Sequence, residues 1–80
     1  MSDLAADLIA FIDDELSLDP SFPVELDTEL IEEALVDSLG VLQIVRWLQE
    51  RTGTSIAANS VTLENFATVR AMLRLVEQDS

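Results

Sequence analysis

The eighty residues predict an all-α fold, a four-helix bundle with three main helices, one short helix and a long first loop. Three observations carry this expectation. Apolar residues recur at spacings of three and four in three separate stretches. Pro20, Pro23 and Gly53 fall where those stretches must end. The span from Pro20 to Asp37 is too long and too apolar to be an idle loop in so small a chain.

The first stretch, Asp3 to about Leu18, has Leu4, Leu8, Phe11 and Ile12 in helical register, with Ala5, Ile9 and Leu16 widening the stripe. Ser2 or Asp3 can cap its free N–H groups. Asp13, Asp14 and Glu15 lie near its C-terminal end, where the helix dipole disfavours them, so apolar burial must outweigh that cost. Pro20 and Pro23 then force an extended backbone. Phe22, Val24, Leu26, Leu30, Ile31, Leu35 and Val36 suggest that the connection packs across the helices, with a short helical turn around Asp27 to Ile31. A second helix is expected from Ser38 to about Thr52 on the stripe Val41, Ile44, Val45 and Leu48, ended by Gly53. An irregular segment, Thr54 to Val61, follows. Thr62 can cap one brief helical turn, the short helix of the bundle, through Asn65 or Phe66. Thr68 can cap the last helix, with Val69, Met72, Leu73 and Val76 inward.

All eighty residues form one domain, without repeats or low-complexity segments. Sixteen carboxylates face four arginines and no lysine, a formal net charge of −12. Nucleic acid and anionic membrane are therefore poor partners, because both need a basic patch. No cysteine and no histidine is present, which removes disulfides, zinc sites and imidazole or thiolate catalysis. No lysine means no Schiff base. The chain is badly equipped to be an enzyme. Hydrophobic residues make up 49% of it, too many for a disordered acidic tail. The start carries no basic segment and no apolar run approaches the ~18 residues of a membrane span, so a cytoplasmic protein is expected. The acidic run from Glu25 to Asp37 lacks the residue order of a calcium loop, and nothing supports Glu32 and Glu33 as catalytic carboxylates.

The second helix is unusual. At about 100° per residue, Leu39 and Leu42 fall off the core stripe, on the side of Gln43, Arg46 and Glu50. Two leucines beside a helix start in an acidic protein suggest a docking surface. The plain alternative is that the long connection folds over them. Ser38 stands where the helix begins. It serves either as an N-cap or as the bearer of a covalent group, since a helix N-terminus favours a phosphate ester. Gly40 weakens the first turn by up to ~1 kcal/mol; it either lets a partner approach Ser38 or is incidental. Trp47, at the edge of the stripe, is either ordinary packing or a plug in space that a cargo would need.

Asp37-Ser38-Leu39, with an apolar helix after it and an acidic connection before it, resembles the acyl carrier protein family. The likeness extends over Glu29 to Leu42, over Trp47 to Gly53 and over Thr62 to Val69, and so covers about residues 4 to 77 in order and spacing. The resemblance implies a four-helix bundle of the acyl-carrier type. It implies 4′-phosphopantetheine on Ser38, whose hydroxyl oxygen attacks the β-phosphate of coenzyme A on a phosphopantetheinyl transferase. Asp37 matches a residue that helps hold that enzyme's metal ion. Leu39, Leu42, Gln43, Arg46, Glu50 and Ile56 match positions that touch partners. The group's thiol would hold acyl or aminoacyl units as thioesters. A loading ligase and downstream biosynthetic enzymes are the further partners, and the carrier itself is expected to be a monomer.

The match has departures. Where fatty-acid carriers place acidic residues on the second helix, this chain has Gly40, Gln43 and Gln49, and Arg46 stands where an apolar residue is usual. That pattern is more similar to free-standing carriers of aminoacyl or specialised-metabolite units, including the D-alanyl type. The reading from a different class is an unmodified acidic module that only binds a partner protein.

Overall fold

The computed structural model describes residues 3–19 and 21–79, with backbone only for 78 and 79. The described residues form three α-helices and no strand: α1 (Leu4–Phe11), α2 (Ser38–Thr52) and α3 (Val69–Asp79). Asp3 caps α1, its carboxylate accepting from the Ala6 N–H at 3.3 Å. The alternative cap, Ser2, and the break at Pro20 lie outside the described residues.

The first helical stretch ends at Leu16, in a π-helical turn over Ile12–Leu16 closed by the Ser17 N–H on the Ile12 carbonyl at 2.7 Å. Its cause lies in the apolar spacing. Leu8, Ile12 and Leu16 step by four, and each such step overshoots an α-helical turn by about 40°. The wider turn offsets that drift. All three side chains reach the core while Asp13, Asp14 and Glu15 stay exposed.

The connection folds across the bundle, as its apolar residues predict. Val24, Leu30, Leu35 and Val36 are buried. Its helical turn comes slightly later than expected and closes as a Schellman motif. The Leu35 N–H donates to the Leu30 carbonyl at 2.9 Å and the Ala34 N–H to that of Ile31 at 3.0 Å. Leu30 and Leu35 supply the accompanying apolar pair. The motif needs a left-handed residue, and Ala34 fills it at φ 56°. Two bonds tie the connection to α3 and the segment leading into it: Leu30 N–H to the Ala67 carbonyl at 2.9 Å and Arg70 N–H to the Leu26 carbonyl at 3.0 Å. Beside them Arg70 grips Asp27 through two hydrogen bonds, at 2.7 and 3.1 Å.

α2 ends as expected, with Gly53 left-handed at φ 72° and its N–H on the Gln49 carbonyl. Two single-turn features occupy the span to α3. One is a 3₁₀ turn over Ala58–Ser60. The other is the turn that Thr62 opens, with its hydroxyl accepting from Asn65 N–H at 3.1 Å and its carbonyl from Phe66 N–H at 3.1 Å. The expected short helix is thus no more than a turn. Phe66 is fully buried there, and that burial holds the turn in place. Thr68 caps α3 through Ala71 N–H at 3.1 Å.

Phe11 and Trp47 stack along the α1–α2 seam, their ring centroids 5.3 Å apart and their planes 14° from parallel. The Arg51 guanidinium lies 5.2 Å from the Trp47 ring centroid and pairs with Asp7 on α1. Trp47 is therefore a half-buried fastener between two helices, worth about 1 kcal/mol beyond its buried area.

Two predictions follow from this packing. A left-handed conformation costs an L-residue about 1–2 kcal/mol, so Ala34→Gly should raise stability by about 1 kcal/mol, or roughly 4–8 °C in thermal midpoint. An unchanged or lower midpoint would show that Ala34 is unstrained. The Asp27 carboxyl is held below its ordinary value of 3.8, first by its hydrogen bonds from Arg70, with desolvation acting against this and the charges of Arg70 and Arg74 adding to it. The pair's stabilisation is therefore complete above pH 3.8 and fades as pH falls through the lower folded value. Asp27→Asn should lower the thermal midpoint slightly at neutral pH, and the difference should close on acidification. A difference independent of pH would contradict the assignment.

Candidate functional site

The residues that the sequence singles out gather at the N-terminal end of α2. Asp37, not Ser38, is its N-cap: Oδ1 accepts from the Gly40 N–H at 2.8 Å. Ser38 is the first helical residue and is exposed, and no hydrogen bond engages its hydroxyl among the described residues. The cap reading of Ser38 is thereby corrected. Both residues are good caps by type, and the register is set by the buried chain before them. Leu35 and Val36 are anchored by hydrogen bonds to Leu30, and the Leu18 N–H donates to the Leu35 carbonyl at 2.9 Å. Val36 is buried and Asp37 and Ser38 emerge from the surface after it.

Gly40 has a local cause as well. A Cβ placed there would stand 2.7 Å from Val36 Cγ1 and 3.4 Å from Asp37 Oδ1. The first turn of α2 sits on the Val36 side chain so closely that only glycine fits without a shift.

The two leucines off the core stripe are indeed exposed, Leu39 at 63% and Leu42 at 58%. The connection does not fold over them, since its apolar side chains are spent against the core. Ser38, Val41 and Leu42 form one side of a surface groove of about 260 Å³, completed by Val61 and Leu63. Leu63 is 64% exposed. Sequence reasoning passed it over, although its place between a capping Thr62 and a core-bound Phe66 was a signal that it faces outward.

Gln43, Arg46 and Glu50 lie on the other flank of the same face. With Phe11 and Trp47 they line a second groove of about 300 Å³ above the α1–α2 seam. Arg46 donates to Glu50 at 3.2 Å, one turn along the helix, and both side chains are largely in solvent, so the pair adds little stability. Gln49 is not part of this surface. Its side-chain oxygen accepts from the Ile56 N–H at 2.8 Å and pins the segment after the helix.

Ile56 is corrected. It is only 7% exposed and belongs to the core, so it is unavailable to a docking face. An apolar residue in an irregular segment has no period to reveal its side, and here the Gln49 bond turns Ile56 inward. The exposed apolar group around Ser38 is therefore Leu39, Leu42 and Leu63.

No described helix is long and apolar enough to cross a membrane. No curated protein and no solved structure matches the chain significantly. A family model described as the phosphopantetheine attachment site matches residues 5–76, which takes in α2 and most of α1 and α3. With an all-helical fold and an exposed serine hydroxyl at the start of α2, the chain belongs to the phosphopantetheine attachment site family, as a non-catalytic acyl-carrier-type domain that bears 4′-phosphopantetheine.

Proposed function

We propose that Ser38 is the attachment residue and that the chain presents acyl or aminoacyl units to partner enzymes. The observation that carries this is the division of labour at the start of α2. Asp37 takes the cap, so the Ser38 hydroxyl stays exposed and uncommitted. The local chemistry fits a phosphate ester there. The first turn of a helix has N–H groups without intrahelical partners, and the dipole favours negative charge beside them. The groove of Val41, Leu42, Val61 and Leu63 begins at Ser38 and offers an apolar wall to the start of the arm.

On the transferase, Ser38 Oγ forms a bond to the phosphorus that bears the pantetheine half of coenzyme A. The pyrophosphate P–O bond breaks, adenosine 3′,5′-bisphosphate leaves with the electron pair, and the serine proton passes to a base of the transferase. When bound, the group supplies a terminal thiol for thioester cargo, which this cysteine-free chain lacks. The chain's own residues then hold the attachment point rigidly and offer Leu39, Leu42 and Leu63 to partners. Small exposed patches of this kind suit transient docking, and a carrier must leave each partner it visits.

The charge layout favours aminoacyl or specialised-metabolite enzymes as partners. Residues 17–37 hold seven carboxylates and no cation, whereas α2 holds only Arg46, Glu50 and Arg51 as charges. Long-range steering toward a basic enzyme surface therefore comes from the acidic chain before α2, the connection included. The docking helix itself is nearly neutral and is read by shape and apolar contact. Coenzyme A and these enzymes belong to the cytoplasm, the expected location.

Incubation with coenzyme A and a broad-specificity phosphopantetheinyl transferase should add the mass of one phosphopantetheine to the native chain and none to Ser38→Ala. No gain in the native chain would leave an unmodified interaction module as the better reading. For docking, Leu42→Asp should raise the KM of the loading ligase about tenfold, equivalent to about 1.4 kcal/mol, with helical circular dichroism unchanged. An unchanged KM would remove Leu42 from the interface.

A further inference from the structure

We propose that Gly40 and Val36 form a positioning contact that fixes Ser38 Oγ for modification, an inference that rests on Ser38 being the attachment residue. Glycine has poor helix propensity, and a first turn exposed to solvent would be better served by almost any other residue. Gly40 is instead buried. A Cβ there would meet Val36 Cγ1 at 2.7 Å, closer than side chains pack. Val36 cannot easily give way. It is 3% exposed, stiff at χ1, and held through its backbone N–H by the Leu30 carbonyl at 3.2 Å. Asp37 Oδ1 lies 3.4 Å from the same point.

A methyl group at position 40 would therefore press on Val36, the buried residue that anchors Asp37 and Ser38, while Asp37 Oδ1 would stand at contact distance. The strain would be relieved by lifting the first turn of α2 off Val36, and Ser38 is the residue on that turn nearest the hinge. Rates of group transfer are sensitive to such displacement, because a shift near 1 Å in a reacting atom can cost about a hundredfold. Leu39 and Leu42 themselves are exposed. Gly40 acts through Asp37 and Ser38 and touches neither coenzyme A nor the transferred phosphorus.

The experiment measures kcat and KM of a phosphopantetheinyl transferase for four carriers: native, Gly40→Ala, Val36→Ala and the double variant. The expected result for Gly40→Ala is a fall of about tenfold or more in kcat, a KM near the native value and unchanged helical circular dichroism. Val36→Ala in that background should restore kcat to within about twofold, because the colliding methyl is gone. Native kcat in Gly40→Ala would overturn the proposal. So would a slow double variant. Should Gly40→Ala lose its helical signal, the double variant decides: folded and fast upholds the contact, folded and slow overturns it. A native chain that accepts no group at all would instead sink the Ser38 assignment on which this rests.

Discussion

One hydrogen bond organises the functional end of this molecule: the Asp37 carboxylate accepting from the Gly40 N–H. It satisfies an orphan donor of the α2 N-terminus that Ser38 would otherwise serve. The serine is thereby released to solvent as the first helical residue, with its hydroxyl uncommitted. The bond can form because the chain before it is anchored by the Schellman turn at Leu30 to Leu35 and by the burial of Val36. It also depends on Gly40 having no side chain to collide with Val36. The proposed attachment residue thus follows a buried, hydrogen-bonded stretch of chain.

The same economy shapes the surface. Apolar residues of the connection are used up in the core, so nothing covers Leu39, Leu42 and Leu63. Residues 1–37 hold twelve carboxylates and no Lys or Arg, while α2 is nearly neutral. The proposed steering and the proposed docking thus use neighbouring but different parts of the chain. An interface built from a few apolar side chains with long-range steering is fast to form and easy to leave, which suits a domain that must visit several enzymes in turn.

Much of this was legible in the sequence. Periodicity places the body of α2 and separates Leu39 and Leu42 from the core stripe, because one strong stripe of 3.6-residue period leaves little freedom. What was not legible shares a physical character. The assignment of the cap to Ser38 misses by one residue, since Asp and Ser are equivalent caps and only the packing of Val36 decides between them. Ile56 sits in a segment without a period, and a side-chain bond from Gln49, seven residues away, turns it inward. The short helix expected after Thr62 lacks the length to add hydrogen bonds beyond its first turn. The π-helical turn at Ile12–Leu16 answers a run of four-residue steps that tolerates either helical register.

Ser38 is the serine proposed to carry the group. The chain has seven serines: Ser2, Ser17, Ser21, Ser38, Ser55, Ser60 and Ser80. The most direct test is fragmentation mass spectrometry of the native chain after treatment with coenzyme A and a phosphopantetheinyl transferase, locating the adduct along the backbone. The account predicts a single phosphopantetheine on Ser38. An adduct on any other serine, or a mixture of sites, would contradict it.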